Sequence, residues 1–135
     1  MIKLITGKKG TGKTKTLINM INDAVKNTNG CLVCIEKGET LRREISYKVR
    51  WCSVEQFGIS NFDGLYGFVA GMLAGNYDIK EIFVDGIFKI CGNDTNLLGE
   101  LLNKLNTLTG DDTIVVFTIS ADNSELPDSV KKFID

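Results

Sequence analysis

Two rhythms of apolar and polar residues alternate along this chain. Ile2, Leu4 and Ile5 form a short apolar stretch that predicts a buried strand. Leu17, Ile18, Met20, Ile21, Ala24 and Val25 then recur at helical spacing, predicting an amphipathic helix from about Lys13 to about Lys26. A turn cluster, Asn27-Thr28-Asn29-Gly30, leads to a second strand from Cys31 to about Glu36. Its apolar run Cys31-Leu32-Val33-Cys34-Ile35 is continuous rather than alternating, as in a parallel strand covered on both faces. From Lys37 to Lys48 the chain is charged with few apolar anchors. It predicts a surface excursion with one helical turn after Thr40, whose hydroxyl would cap it. Val49 to Val54 predicts a short edge strand. A helix follows from about Asn61 to Gly75, with Leu65, Phe68, Val69, Met72 and Leu73 as its apolar face. Gly64, Gly67 and Gly71 weaken that helix intrinsically, so they are expected to permit close packing on the sheet. Lys80 to Asp85 is the next strand, Leu97 to Leu108 a strongly amphipathic helix, and Thr113 to Ser120 a further apolar strand. Pro127 begins a last short helix, where its missing N–H costs nothing.

Such alternation specifies an α/β protein: a three-layer α/β/α sandwich around a mostly parallel sheet of about five strands. The 135 residues suit a single domain, 1–135, large enough to bury about two-thirds of its unfolded surface. No repeat, low-complexity stretch or linker interrupts them, and no length remains for a separate lid, effector or DNA-binding domain. The net charge of -1 gives no general affinity for nucleic acid. No apolar run is long enough to span a membrane, and the N-terminus runs directly into the first strand without a signal peptide. A cytoplasmic location is expected. The four cysteines are then expected as free thiols. Cys31 and Cys34 form a C-x-x-C, but residues three apart on a strand point to opposite faces, which excludes a shared metal. Cys52 and Cys91 are isolated.

Candidate chemistry begins where the first strand meets the first helix. Gly7-Lys8-Lys9-Gly10-Thr11-Gly12-Lys13-Thr14 satisfies G-x-x-x-x-G-K-[ST] between a predicted strand and a predicted helix. Glycines let the backbone curl so that successive N–H groups point inward at a polyphosphate. The helix start adds unpaired N–H donors and the positive end of its dipole. Lys13 is expected to reach the β- and γ-phosphates and Thr14 to ligate Mg²⁺, with Thr16 also near the nucleotide. By composition alone the pattern arises in roughly one chain of this length in a few hundred.

Ile82-Phe83-Val84-Asp85 is an apolar run ending in an acid, the Walker B pattern, in which the Asp at the end of a buried strand holds Mg²⁺. With both motifs in place, the chain resembles the P-loop NTPase superfamily. It is similar to the RecA-like, additional-strand branch and to small single-domain bacterial P-loop ATP-binding proteins. The resemblance covers the core elements and implies a strand inserted between the two motif strands; Thr113 to Ser120 is the candidate. It further implies that a polar residue at that strand's end, Ser120 or Thr118, senses the γ-phosphate. A Glu directly after the Walker B Asp is absent, because Gly86 stands there. RecA-like proteins carry a catalytic Glu at the end of the strand that follows the P-loop helix, and Glu36 occupies that place. A carboxylate there would orient the attacking water. The RecA oligomerisation segment and DNA-binding loops are missing, which removes strand exchange.

ATP is favoured over GTP, because the nearest text to N-K-x-D, Asn103-Lys104-Leu105-Asn106, lacks the Asp and lies within a predicted helix. Arg42, Arg43 and Arg50 are the only arginines, in or beside the charged excursion, and none is assigned as a finger. They are expected to solvate that loop. An exposed Trp51 beside Arg50 would mark a partner surface. The leading expectation is a slow Mg²⁺-dependent ATPase or ATP-driven switch, accelerated by a protein partner or by self-association. The alternatives are a non-catalytic nucleotide-binding interaction module and a small-molecule kinase, which the missing arginine-bearing lid disfavours.

Overall fold

Five strands build one sheet in the order β1-β5-β4-β2-β3, every neighbouring pair parallel. The computed structural model describes residues 1–134. The strands are β1 (Ile2–Gly7), β2 (Cys31–Glu36), β3 (Arg50–Ser53), β4 (Ile79–Asp85) and β5 (Ile114–Ser120). The helices are α1 (Lys13–Asn27), α2 (Phe62–Gly75), α3 (Ile87–Cys91), α4 (Thr95–Thr109) and α5 (Asp128–Lys131). The protein is thus a three-layer α/β/α sandwich. β5 lies between β1 and β4, and β3 is the short edge strand.

The two faces of the sheet are legible residue by residue. Leu32, Cys34, Phe83 and Val116 pack with Leu17 and Ile21 of α1. Val33, Ile35, Ile82, Val84, Val115, Phe117 and Ile119 face the opposite layer, where α2 and α4 contribute Leu65, Val69, Leu98, Leu102 and Leu105. Both faces are covered, so the strands carry unbroken apolar runs. Cys31 and Cys34 lie on opposite sides, Cys34 fully buried among the α1 contacts and Cys31 packed against the α2 layer. All four cysteines are free. Burial raises the Cys34 thiol, helped by the carboxylates of Glu36 and Asp85, and pushes that of Cys91 up to about 12. Both are therefore poor nucleophiles at neutral pH.

Local signals set the helix starts. The Asn61 side chain accepts the Gly64 N–H at 2.7 Å to cap α2, and Asp94 accepts from Asn96 and Leu97 at 3.0 and 3.1 Å to cap α4.

Two expectations need correction. Gly64, Gly67 and Gly71 do not pack on the sheet: all three are exposed, and a Cβ at Gly67 or Gly71 would meet nothing within 4 Å. Leu65 and Val69 already make the sheet contact on the other side of α2. These glycines leave helix stability unused, so Gly67→Ala and Gly71→Ala should each stabilise the protein by about 0.5–1 kcal/mol. Chemical denaturation measures this directly; a loss of stability would show that the exposed face is engaged. The second correction concerns the segment between β2 and β3. Residues 40–44 are consecutive turns rather than a capped helical turn. The segment is not a free excursion either, because Leu41 is fully buried and Val49 is 5% exposed, both against the α1 layer.

Candidate functional site

The carboxyl ends of β1, β4 and β5 converge with the start of α1 on one cavity of about 400 Å³, within the usual size range of small-molecule sites. The loop lines it with Lys9, Gly10, Gly12, Lys13 and Thr14. Asp85, Gly86 and Lys89 come from β4 and α3, and Thr118 and Ser120 from β5.

The loop's shape follows from close approach as much as from flexibility. Gly7 has φ +148°, and a Cβ there would stand 2.6 Å from the Thr11 hydroxyl oxygen, so a side chain would displace the turn. Thr11 is tied back through its own hydroxyl to the Lys8 carbonyl at 2.7 Å. Lys13 is nearly buried, and its ammonium donates to the same Lys8 carbonyl at 2.9 Å. This places a cation in the concavity of the loop. Thr16 points elsewhere: its hydroxyl donates to the Gly12 carbonyl at 3.1 Å along its own helix, and it does not line the cavity. Gly7, Lys8 and Thr11 do not line the cavity.

Across the cavity, the Thr14 hydroxyl stands 3.3 Å from both carboxylate oxygens of Asp85, 71 residues further along the chain. Asp85 is held in turn by β5. The Thr118 hydroxyl donates to Asp85 Oδ1 at 2.7 Å and accepts the Gly86 N–H at 2.7 Å. That single proton is committed, so Thr118 is a positioning residue for Asp85. Ser120, exposed at the strand end, makes no side-chain hydrogen bond among the described residues and borders the cavity.

Glu36 is placed differently. It pairs in register with Asp85 on the neighbouring strand, yet it does not line the cavity. Only 2% exposed, its Oε2 accepts the Leu41 N–H and the Trp51 indole N–H, each at 2.8 Å. The Arg42 guanidinium lies 4.9 Å from the Trp51 ring centre. Trp51 is accordingly half-buried rather than an exposed partner surface. Arg42 also pairs with Glu39 at 3.3 Å, an exposed contact worth little.

The donor set suits a hard divalent cation that keeps substrate oxygens and waters as its remaining ligands: one hydroxyl, one carboxylate, no thiol or imidazole. Among the described residues no cluster of three or more His, Cys, Asp or Glu offers an all-protein metal cage. Two features of the site lie outside both motifs: the hold of Thr118 on Asp85 and the presence of Lys89 at the cavity. Ile87 and Ile90, spaced three apart, are the signal for Lys89: burying both turns the lysine outward on α3.

Compared with known protein families and with curated proteins, the chain matches none. No helix among the described residues is long and apolar enough to cross a membrane.

Proposed function

We propose that this chain is a cytoplasmic P-loop protein of the RecA-like branch that binds Mg²⁺-ATP and hydrolyses its β–γ phosphoanhydride slowly, acting as an ATPase or ATP-driven switch. The observation that carries this reading is the meeting of the Thr14 hydroxyl and the Asp85 carboxylate, 3.3 Å apart, at the mouth of a glycine-rich loop. Two motifs distant in sequence thereby form one site. Gly7 to Thr14 would wrap the phosphates with backbone N–H groups, and Lys13 would offset their charge. Thr14 and Asp85 would hold Mg²⁺, which neutralises phosphate charge when bound. Thr118 keeps the Asp85 carboxylate oriented, and Ser120 is free to contact the γ-phosphate. Glu36 is the candidate for orienting water, although its carboxylate anchors Leu41 and Trp51.

That anchoring favours one alternative: a non-catalytic module in which bound ATP organises the segment between β2 and β3 for a protein partner. Both readings require Asp85 to act through the cation. Asp85→Asn should weaken ATP binding by about 10-fold or more with Mg²⁺ present and much less in EDTA. Equal weakening under both conditions, measured by isothermal titration, contradicts the assignment.

A further inference from the structure

Among the described residues, Lys89 is the one cation at this cavity contributed from outside the phosphate loop. Its position is built rather than incidental. Ile87 is fully buried and Ile90 is 4% exposed, which fixes the rotation of α3 and turns Lys89 toward the opening. The backbone beneath it is equally constrained. Gly86 adopts φ +73°, a left-handed turn directly after Asp85, and its carbonyl accepts the Lys89 N–H at 2.9 Å. The Lys89 stem lies across this glycine: a Cβ at Gly86 would stand 3.3 Å from Lys89 Cδ. The glycine therefore leaves room for the lysine stem to fold back over the turn that follows Asp85. Among the described residues Lys89 has no carboxylate partner, the sole ion pair being Arg42–Glu39. It borders the same cavity as Lys13, Asp85 and Ser120, and also the adjoining cleft formed with Phe88, Gly92 and Asn93.

We propose that Lys89 is a catalytic residue supplied in cis, contacting the γ-phosphoryl group of ATP and stabilising the charge on its oxygens during transfer to water. This deepens, and rests on, the nucleotide-binding reading given above. The three arginines cluster around the segment between β2 and β3, and none lines the cavity. An internal lysine would fill the role that an arginine finger fills elsewhere. In the step it serves, a water oxygen bonds to the γ-phosphorus while the bond to the β–γ bridging oxygen breaks. The electron pair leaves with ADP, and the water's proton passes to solvent or to the released phosphate. Lys89 stays protonated throughout, acting by charge and hydrogen bonding alone.

Binding separates this role from a general electrostatic one. Affinities for ADP, for a non-hydrolysable β,γ-imido ATP and for ADP with aluminium fluoride should be measured for the native protein, Lys89→Ala and Lys89→Arg, with Mg²⁺ throughout. Lys89→Ala should bind ADP within about 2-fold of native, lose about 10-fold for the triphosphate analogue, and lose more for the aluminium fluoride complex. Lys89→Arg should recover most of the loss, which also shows that the alanine effect is not misfolding. Native-like affinities of Lys89→Ala for all three ligands, or equal losses for ADP and the triphosphate, overturn the proposal while leaving the phosphate site standing. Failure of the native protein to bind any of the three overturns both.

Discussion

Lys13→Ala should lower the affinity for Mg²⁺-ATP by about 10- to 100-fold, the value of one or two hydrogen bonds between charged groups. The lysine is nearly buried inside the loop, and its ammonium already sits in the concavity, bonded to the Lys8 carbonyl at 2.9 Å. No other lysine in or beside the loop is so placed: Lys8, Lys9 and Lys15 are all exposed. The fold should survive, because removing an ammonium whose partner is a loop carbonyl costs about 1 kcal/mol. Isothermal titration with Mg²⁺-ATP, paired with thermal unfolding, tests both halves. Unchanged affinity in a folded variant removes the site assignment.

The second large effect falls on Glu36, where two roles can be separated by two substitutions. Glu36→Ala should destabilise the protein by about 2–5 kcal/mol, because it strands two buried donors, the Leu41 N–H and the Trp51 indole. Glu36→Gln keeps an acceptor of the same reach. It should retain most of that stability, with a loss of roughly 1 kcal/mol for exchanging charged for neutral hydrogen bonds. Turnover then decides the chemistry. If Glu36 also orients the attacking water, Glu36→Gln should reduce single-turnover hydrolysis by about 100-fold or more while ATP binding persists. Normal turnover in that variant confines Glu36 to anchoring the segment that follows β2.

Much of this arrangement was legible from pattern alone. Strands β2, β4 and β5 were found nearly to the residue, because burial on both faces leaves long apolar runs bounded by Gly, Asn or Asp. The two motifs mark Lys13, Thr14 and Asp85, which line one cavity, and Ser120, in register with Gly7 of β1, borders the same opening. What escaped depends on contacts that no local pattern carries. Glycines on α2 looked like packing contacts, since sequence alone does not say which side of a glycine-dotted helix meets the sheet. Thr118, a candidate sensor by its place near the strand end, also holds Asp85, its hydroxyl bridging that carboxylate and the Gly86 N–H. Leu41 stands in a charged stretch, and its burial goes with the Glu36 carboxylate holding its N–H while its side chain packs in the α1 layer. α3 spans five residues, so the three-residue spacing of Ile87 and Ile90 is all that the sequence offers for the direction of Lys89.

The most direct test of the account is single-turnover conversion of γ-labelled ATP by excess native protein with Mg²⁺, with Lys13→Ala as the control. Labelled phosphate should be released by the native protein and not by the variant. ATP recovered intact, at the level given by Lys13→Ala, would contradict it.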